Sequence, residues 1–142
     1  MIMAYDLIKR FEGYRPQAYK CPAGVWTIGY GTTVYPDGTP VKKGDQITQE
    51  RAEAFLIDYI IKNIKPVFDK IPYTLTQNQE DAIASLVYNI GKGAFLKSKL
   101  FKAICEKNYP EICKQWDWGF KQNLKGLFKR RTEELYLFIK DI

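Results

Sequence analysis

Residues 11–33 read FEGYRPQAYKCPAGVWTIGYGTT, and the fold turns on this stretch. Just upstream, Ala4, Leu7, Ile8 and Phe11 recur at helical spacing. The spacing predicts a helix over 2–12 that ends in Glu12, with Gly13 as its C-terminal breaker. Two extended runs follow, Tyr14 to Lys20 and Val25 to Tyr30. Between them lies Cys21-Pro22-Ala23-Gly24, a turn by composition. A second turn, Pro36-Asp37-Gly38, separates Thr32–Tyr35 from Thr39–Val41. The segment 14–45 therefore reads as a small twisted antiparallel sheet of two or three strands.

From Thr48 the period becomes helical. Thr48 is placed to cap a helix carrying Ala52, Phe55, Leu56, Tyr59 and Ile60, and Pro66 should kink or end it. Thr76 and Gln79 form a capping box before Ala82, Ile83, Leu86, Val87 and Ile90, and Gly91 and Gly93 stop that helix. Shorter helices are expected over 98–106 and from Tyr109 to near Trp118-Gly119. A last helix should open at Asn123 or Lys125 and run to about Lys140. There is no repeat or flexible linker. A sheet segment followed by helices makes the chain α+β, and its 142 residues suit one domain, 1–142.

Composition narrows the chemistry. Histidine is absent, which removes Ser-His-Asp and Cys-His catalysis and histidine-ligated zinc. Proton transfer must fall to carboxylates, Tyr, Lys or Cys. The three cysteines, Cys21, Cys105 and Cys113, form neither a metal motif nor a disulfide framework. Cys105 and Cys113 are assigned to the helical core. No metal and no cofactor are expected. The net charge of +6 favours a polyanion or an anionic wall but does not choose between them. No recognition motif supports nucleic acid as a partner. No apolar run approaches the ~18 residues of a membrane span, and the start, MIMAYDLIKRFEGY, lacks the pattern of a signal peptide.

A hairpin that turned back on the helix end would set the Cys21 thiol and the Thr27 hydroxyl opposite Glu12 across a groove. Glycoside hydrolysis needs such a layout: an acid at the leaving oxygen, and a group on the other side that delivers water or attacks. Glu12 is the candidate acid; the bland alternative is a solvated helix end. Thr27 would orient water, its alternative being an ordinary strand residue. Cys21 is base or nucleophile if ionised, and only shapes the site if neutral. Arg131 falls on the stripe Leu127, Arg131, Leu135, Phe138, and an inward arginine needs an anion. The pairing expected is Arg131 with Glu12, with Arg130 as competitor. Trp26, Tyr30 and Tyr35 are candidates to stack on sugars, against plain packing. Asn89 would bond a sugar N-acetyl group or water, against a helix-end cap. The run Lys125, Lys129, Arg130, Arg131 reads as a solvated face, with contact to phosphate or teichoic acid as the alternative.

The stretch resembles the signature of the bacteriophage-type lysozymes, the endolysins. That signature is Glu, eight residues, Asp or Cys, five residues, Thr; here the positions are Glu12, Cys21 and Thr27, with Phe11-Glu12-Gly13, Ala18-Tyr19 and Thr27-Ile28-Gly29-Tyr30-Gly31 around them. Ser85 to Gly91 is similar to the family's helix with a polar cleft residue. Trp116 and Gly126 to Glu134 are similar to its W…GL-x-x-RR-x-x-E end. The resemblance implies a lysozyme-like two-lobe fold, with the β lobe at about 14–45 and the helical lobe at about 48–142 plus the helix 2–12. It implies hydrolysis of the β-1,4 bond between N-acetylmuramic acid and N-acetylglucosamine, with peptidoglycan as partner. The expected protein is a monomer held in the host cytoplasm until another agent releases it to the wall. A catalytically weakened wall-binding or host-interaction module is the alternative, because position 21 carries Cys where Asp is commoner.

Overall fold

A computed structural model describes residues 2–117 and 125–142. Helix α1 spans Ile2–Glu12, strand β1 Arg15–Lys20, strand β2 Trp26–Gly29 and helix α2 Gln49–Tyr59. A π-helical segment, Ile60–Ile64, joins α2 to α3, Lys65–Phe68. Then come α4 (Gln77–Ile90), α5 (Lys92–Leu96), α6 (Lys99–Cys105), α7 (Tyr109–Gln115) and α8 (Lys125–Ile139).

The lysozyme-like architecture is present: a small antiparallel sheet against a helical lobe. β1 and β2 pair with Lys20 opposite Trp26 and Arg15 opposite Gly29, and the register shifts between Arg15 and Tyr19. The turn forms where composition put it, with Cys21 N donating to Val25 O at 3.0 Å and Gly24 N to Cys21 O at 2.8 Å. The second turn makes only a short ladder, Tyr35 N to Thr39 O and Val41 N to Thr33 O, beside a single Val34–Pro40 bridge. Two side chains fasten this lobe: Tyr14 Oη donates to Ile47 O and Tyr35 Oη to Asp45 Oδ2, both at 2.7 Å.

Helix α4 is the axis of the helical lobe. Its capping box closes as expected, Gln79 N on Thr76 Oγ1 at 3.1 Å and Thr76 N on Gln79 Oε1 at 3.0 Å. Every residue from Asp81 to Val87 is buried, the pattern of a helix covered on all sides. Helices α1 and α8 both pack on it. Each fully buried Ile or Leu here, such as Ile83 or Leu86, contributes roughly 1.5–3 kcal/mol of transfer free energy.

Pro66 does not end the helix that begins at Thr48. The backbone widens instead, and Lys65 N bonds Ile60 O, five residues back. Proline clashes with the carbonyl four residues earlier and lacks an N–H. A π turn just before it accommodates the proline, and a further helical turn, α3, follows. Asp58 and Tyr59 at the end of α2 and Lys62 and Asn63 in the widened turn line the cleft.

Helix α7 stops at Gln115, short of Trp118-Gly119, which with Asn123 lies outside the described residues. The helix over 92–96 was not expected: Gly91 and Gly93 end α4 but also permit a new turn. Cys113 is exposed and Cys105 only half-buried, so neither is a core residue as expected. Each sits on a short helix whose buried face is supplied by Ile104 or Ile112.

Candidate active site

A cleft of about 620 Å³ lies between the hairpin and the helices, and Glu12, Cys21 and Thr27 all line it. They come from three local structures. Glu12 is the last residue of α1, Cys21 opens the hairpin turn, and Thr27 is the second residue of β2. Strand side chains alternate between faces. With Thr27 on the cleft side, Trp26 must face away, and it is not among the lining residues. Its ring instead carries Lys20 Nζ at 5.5 Å from the centroid. The stacking role expected for Trp26 is therefore not supported by its position.

Tyr30 is also corrected. It is 3% exposed, packs against Tyr14 with ring centroids 5.8 Å apart, and its hydroxyl accepts from Gln49 Nε2 at 3.1 Å. A buried ring offers no face to a sugar. Tyr35 and Asn89 do line the cleft. Tyr35 is fixed by Asp45 and by Phe55, edge to face at 5.6 Å. A second hollow of about 520 Å³ lies beyond Tyr35 and Phe55, and none of the three candidate catalytic groups lines it.

Glu12 is held by Arg130, not Arg131. Arg130 Nη1 donates to Glu12 Oε2, and the two side chains are 3% and 22% exposed. Of the other Arg130 donors, Nη2 goes to the Ser85 carbonyl at 2.9 Å and Nε is shared between the Ser85 hydroxyl and Glu134 Oε2, both at 3.3 Å. Arg131 is fully buried. Its Nη1 donates to Asn89 Oδ1 at 3.1 Å and its Nη2 to Glu134 Oε2 at 3.0 Å. Its Nε lies 2.6 Å from Glu134 Oε1, but the N–H is not aimed along that line, so the contact is electrostatic rather than a formed hydrogen bond.

The stripe used to place Arg131 counted apolar residues only. Glu134 is wholly buried, and it widens the inner face of α8 enough to take Arg130 as well. Both arginines of the basic run thus turn inward rather than forming a solvated face, while Lys129 stays exposed. Burial pushes the Glu134 carboxyl up and the Arg131 guanidinium down from their ordinary values. Arginine's ordinary pKa is so high that it stays charged.

At the hairpin, the backbone N–H groups of Val25 and Ala23, aided by the Thr27 hydroxyl, hold the Cys21 thiol below its ordinary value against a smaller opposing effect of burial. Thr27 has one hydroxyl proton and two acceptors in reach, Val25 O at 3.0 Å and the Cys21 sulfur. Gly31 passes close to the acid: a Cβ there would meet Glu12 Oε1 at 3.1 Å and the Tyr88 hydroxyl at 3.5 Å. Tyr88 donates to Tyr30 O at 2.6 Å, and burial raises its phenol well above the usual range, with the nearby Glu12 adding to the shift.

Sequence reasoning gave no role to Ser85, Tyr88, Gly31 or Glu134. The signal for Ser85 and Glu134 was available: a hydroxyl inside an apolar helix run, and an acid four residues after one arginine and three after the next. Among the described residues no group of three His, Cys, Asp or Glu side chains is arranged to hold a metal. No helix among them is long and apolar enough to cross a membrane.

The family model described as Phage lysozyme matches residues 9–134. An endolysin of Acyrthosiphon pisum secondary endosymbiont phage 1 is 45% identical over 93% of this chain and 92% of its own length. Among solved structures, the endolysin from Escherichia coli O157:H7 phage FAHEc1 superposes with a TM-score of 0.87 at 34% identity, covering 100% of this chain and 94% of that one. The muramidase domain of SpmX from Asticaccaulis excentricus gives 0.81 at 32% identity, covering 96% and 95%. The chain belongs to the phage lysozyme family, and its activity is that of a glycoside hydrolase acting on peptidoglycan.

Proposed function

We propose that Glu12 is the general acid for cleavage of the β-1,4 bond between N-acetylmuramic acid and N-acetylglucosamine, with Thr27 and Cys21 managing the attacking water. The observation that carries this is the meeting, in one cleft, of a carboxyl pinned on one oxygen and a thiol–hydroxyl pair on the hairpin opposite. Arg130 takes Glu12 Oε2 and leaves Oε1 to carry the proton toward the leaving oxygen. As the bond breaks, positive charge grows on the sugar and negative charge on Glu12, and Arg130 stabilises the latter.

Thr27 donates to Val25 O, so its lone pairs are left to accept a hydrogen bond from water and aim the water's oxygen. The lowered Cys21 thiol favours the thiolate, the form that takes the proton from that water. Arginine can only donate, so the Arg131 contact identifies the Asn89 oxygen. The amide N–H₂ then remains to donate to a sugar N-acetyl carbonyl, and Tyr35 lines the same cleft. The reading includes a monomer that reaches the wall from the host cytoplasm, testable by light scattering and by fractionation of an expressing host.

A zymogram on purified peptidoglycan tests the assignment. Wild type should clear it and Glu12→Gln should not. Failure of wild type to clear, with retained wall binding, would instead identify a binding module. The anomeric configuration of fresh product, compared for wild type and Cys21→Ser, assigns the sulfur. Retention lost in the variant makes it a nucleophile; inversion in both makes it a holder of water.

A further inference from the structure

We propose that Glu134, which has no contact with the cleft, is the positioning residue for both sides of the site: through Arg130 it holds the proton donor, and through Arg131 it holds the Asn89 amide. The inference rests on the reading of Glu12 as the acid.

The geometry is specific. Two guanidiniums adjacent in sequence are buried side by side on α8, where their like charges repel. Glu134 lies four residues after one and three after the other, so the helix itself sets it within reach of both. Its Oε2 accepts from Arg130 Nε at 3.3 Å, from Arg131 Nη2 at 3.0 Å and from Ser85 Oγ at 2.5 Å. Its Oε1 accepts from Trp116 Nε1 at 3.3 Å. Arg130 is therefore held at Nε and Arg131 at Nη2, and each presents its Nη1 outward, Arg130 to Glu12 and Arg131 to Asn89. The carboxylate is fully buried and meets no substrate. Its effect must travel through the two guanidiniums, whose planar forks transmit orientation as well as charge.

A network that only stapled α8 to α4 would lower the unfolding temperature and leave the kinetics of the folded protein alone. A positioning role splits the kinetics instead. Glu134→Gln is expected to lower kcat about 10- to 100-fold by loosening the acid, and to raise KM about 2- to 5-fold by loosening Asn89. The two effects separate in double variants. In an Arg130→Met background, Glu134→Gln should add nothing to the loss of kcat but should still raise KM. In an Asn89→Ala background it should still lower kcat but leave KM where it is. Soluble peptidoglycan glycan strands of defined length serve as substrate, with a thermal melt for each variant to show the folded fraction.

Wild-type kcat and KM in folded Glu134→Gln overturn the inference, and so do effects on kcat that simply multiply with Arg130→Met. If Glu134→Gln does not fold, Glu134→Asp, which keeps the charge and withdraws it by one methylene, is read in the same backgrounds. A roughly 3- to 10-fold loss of kcat that vanishes with Arg130→Met supports the inference, and wild-type kcat overturns it. Glu12→Gln is run alongside. Turnover by that variant brings down the assignment of the acid itself. A dead Glu12→Gln beside a fully active Glu134→Gln overturns the positioning role alone.

Discussion

Replacing Gly31 by Ala tests how tightly the acid is confined. An ideal Cβ at Gly31 lies 3.1 Å from Glu12 Oε1, against the 3.4 Å at which ordinary contact begins. The carboxyl must therefore give way by about 0.3 Å. It has little room to do so, because Arg130 fixes the other oxygen. A misplacement of 1 Å costs on the order of 100-fold in rate, or about 2.7 kcal/mol. A proportional share for 0.3 Å is about 0.8 kcal/mol, near 4-fold, so the expected loss of kcat is about 3- to 10-fold. The backbone adds a second cost, because Gly31 has φ of +96° and an L side chain is strained there by about 1–2 kcal/mol. The unfolding temperature should fall by roughly 3–8 °C. Gly38→Ala separates the two effects: its φ is +91°, and nothing lies within 4 Å of its Cβ. That variant should melt lower by a similar amount yet clear peptidoglycan suspensions at the wild-type rate. Assays belong well below both melting points. If Gly31→Ala matches Gly38→Ala in stability and also keeps full kcat, the carboxyl is not held where this geometry puts it.

Three further outcomes follow from the same structure. Cys21 should react with iodoacetamide near neutral pH before Cys105, because backbone donors lower one thiol while burial raises the other; mass spectrometry that finds Cys105 labelled first refutes this. Burial and the bond to Asp45 push the Tyr35 phenol up to about 12, so its contribution to stability is whole below the unfolded value of about 10 and is lost as pH rises from there through about 12. Tyr35→Phe should remove that part of the alkaline dependence of urea unfolding, leaving the parts due to Tyr73, whose phenol is also raised to about 12, and to Tyr88, whose phenol burial raises further. Phe138, fully buried and 5.3 Å from Trp116 between centroids, should cost about 3–5 kcal/mol when cut to Ala, read by calorimetry as a lower midpoint with the enzyme still active when cold.

Local chemistry made the fold readable, and distance limited what could be read of the site. The capping box at Thr76 and Gln79, the turn at Cys21–Gly24 and the stop at Gly91 each depend on residues a few positions apart, so sequence spacing carries them. Glu12, Cys21 and Thr27 share the cleft for the same reason: one helix end and one short hairpin hold all three. Arg130 is different. Its partner lies 118 residues away, and the choice between it and Arg131 depends on a rotation of α8 that apolar periodicity could not fix once a buried carboxylate belonged to the inner face. Trp26 and Tyr30 failed for a related reason. Aromatic residues in a strand mark a surface worth covering, but only the pleat and the packing partner decide whether substrate or protein covers it. At Pro66 the local rule was right about the clash, and of its two outcomes, a kink or an end, the end does not occur, since a π turn absorbs the clash.

The ion pairs that tie the first helix to the last do not explain why the two stay together. Arg10–Glu133 is exposed, and such pairs are worth about 0–1 kcal/mol. Arg130–Glu12 and the Glu134 cluster are largely dry, and the cost of removing their charges from water offsets much of the attraction. Cohesion has to come from apolar burial: Leu137, Phe138 and Trp116 with the inner residues of α4, and Ala4, Leu7 and Ile8 on the other side. With that burial supplying the stability, the charged cluster is left to set direction. An oily interface alone would let α8 turn or slide by fractions of an ångström at little cost. Two guanidiniums fixed to one carboxylate, one of them tied also to the Ser85 carbonyl of α4, admit a single arrangement. A proton donor, the role proposed for Glu12, must be held to that tolerance, and two arginines and an acid buried behind the cleft supply it.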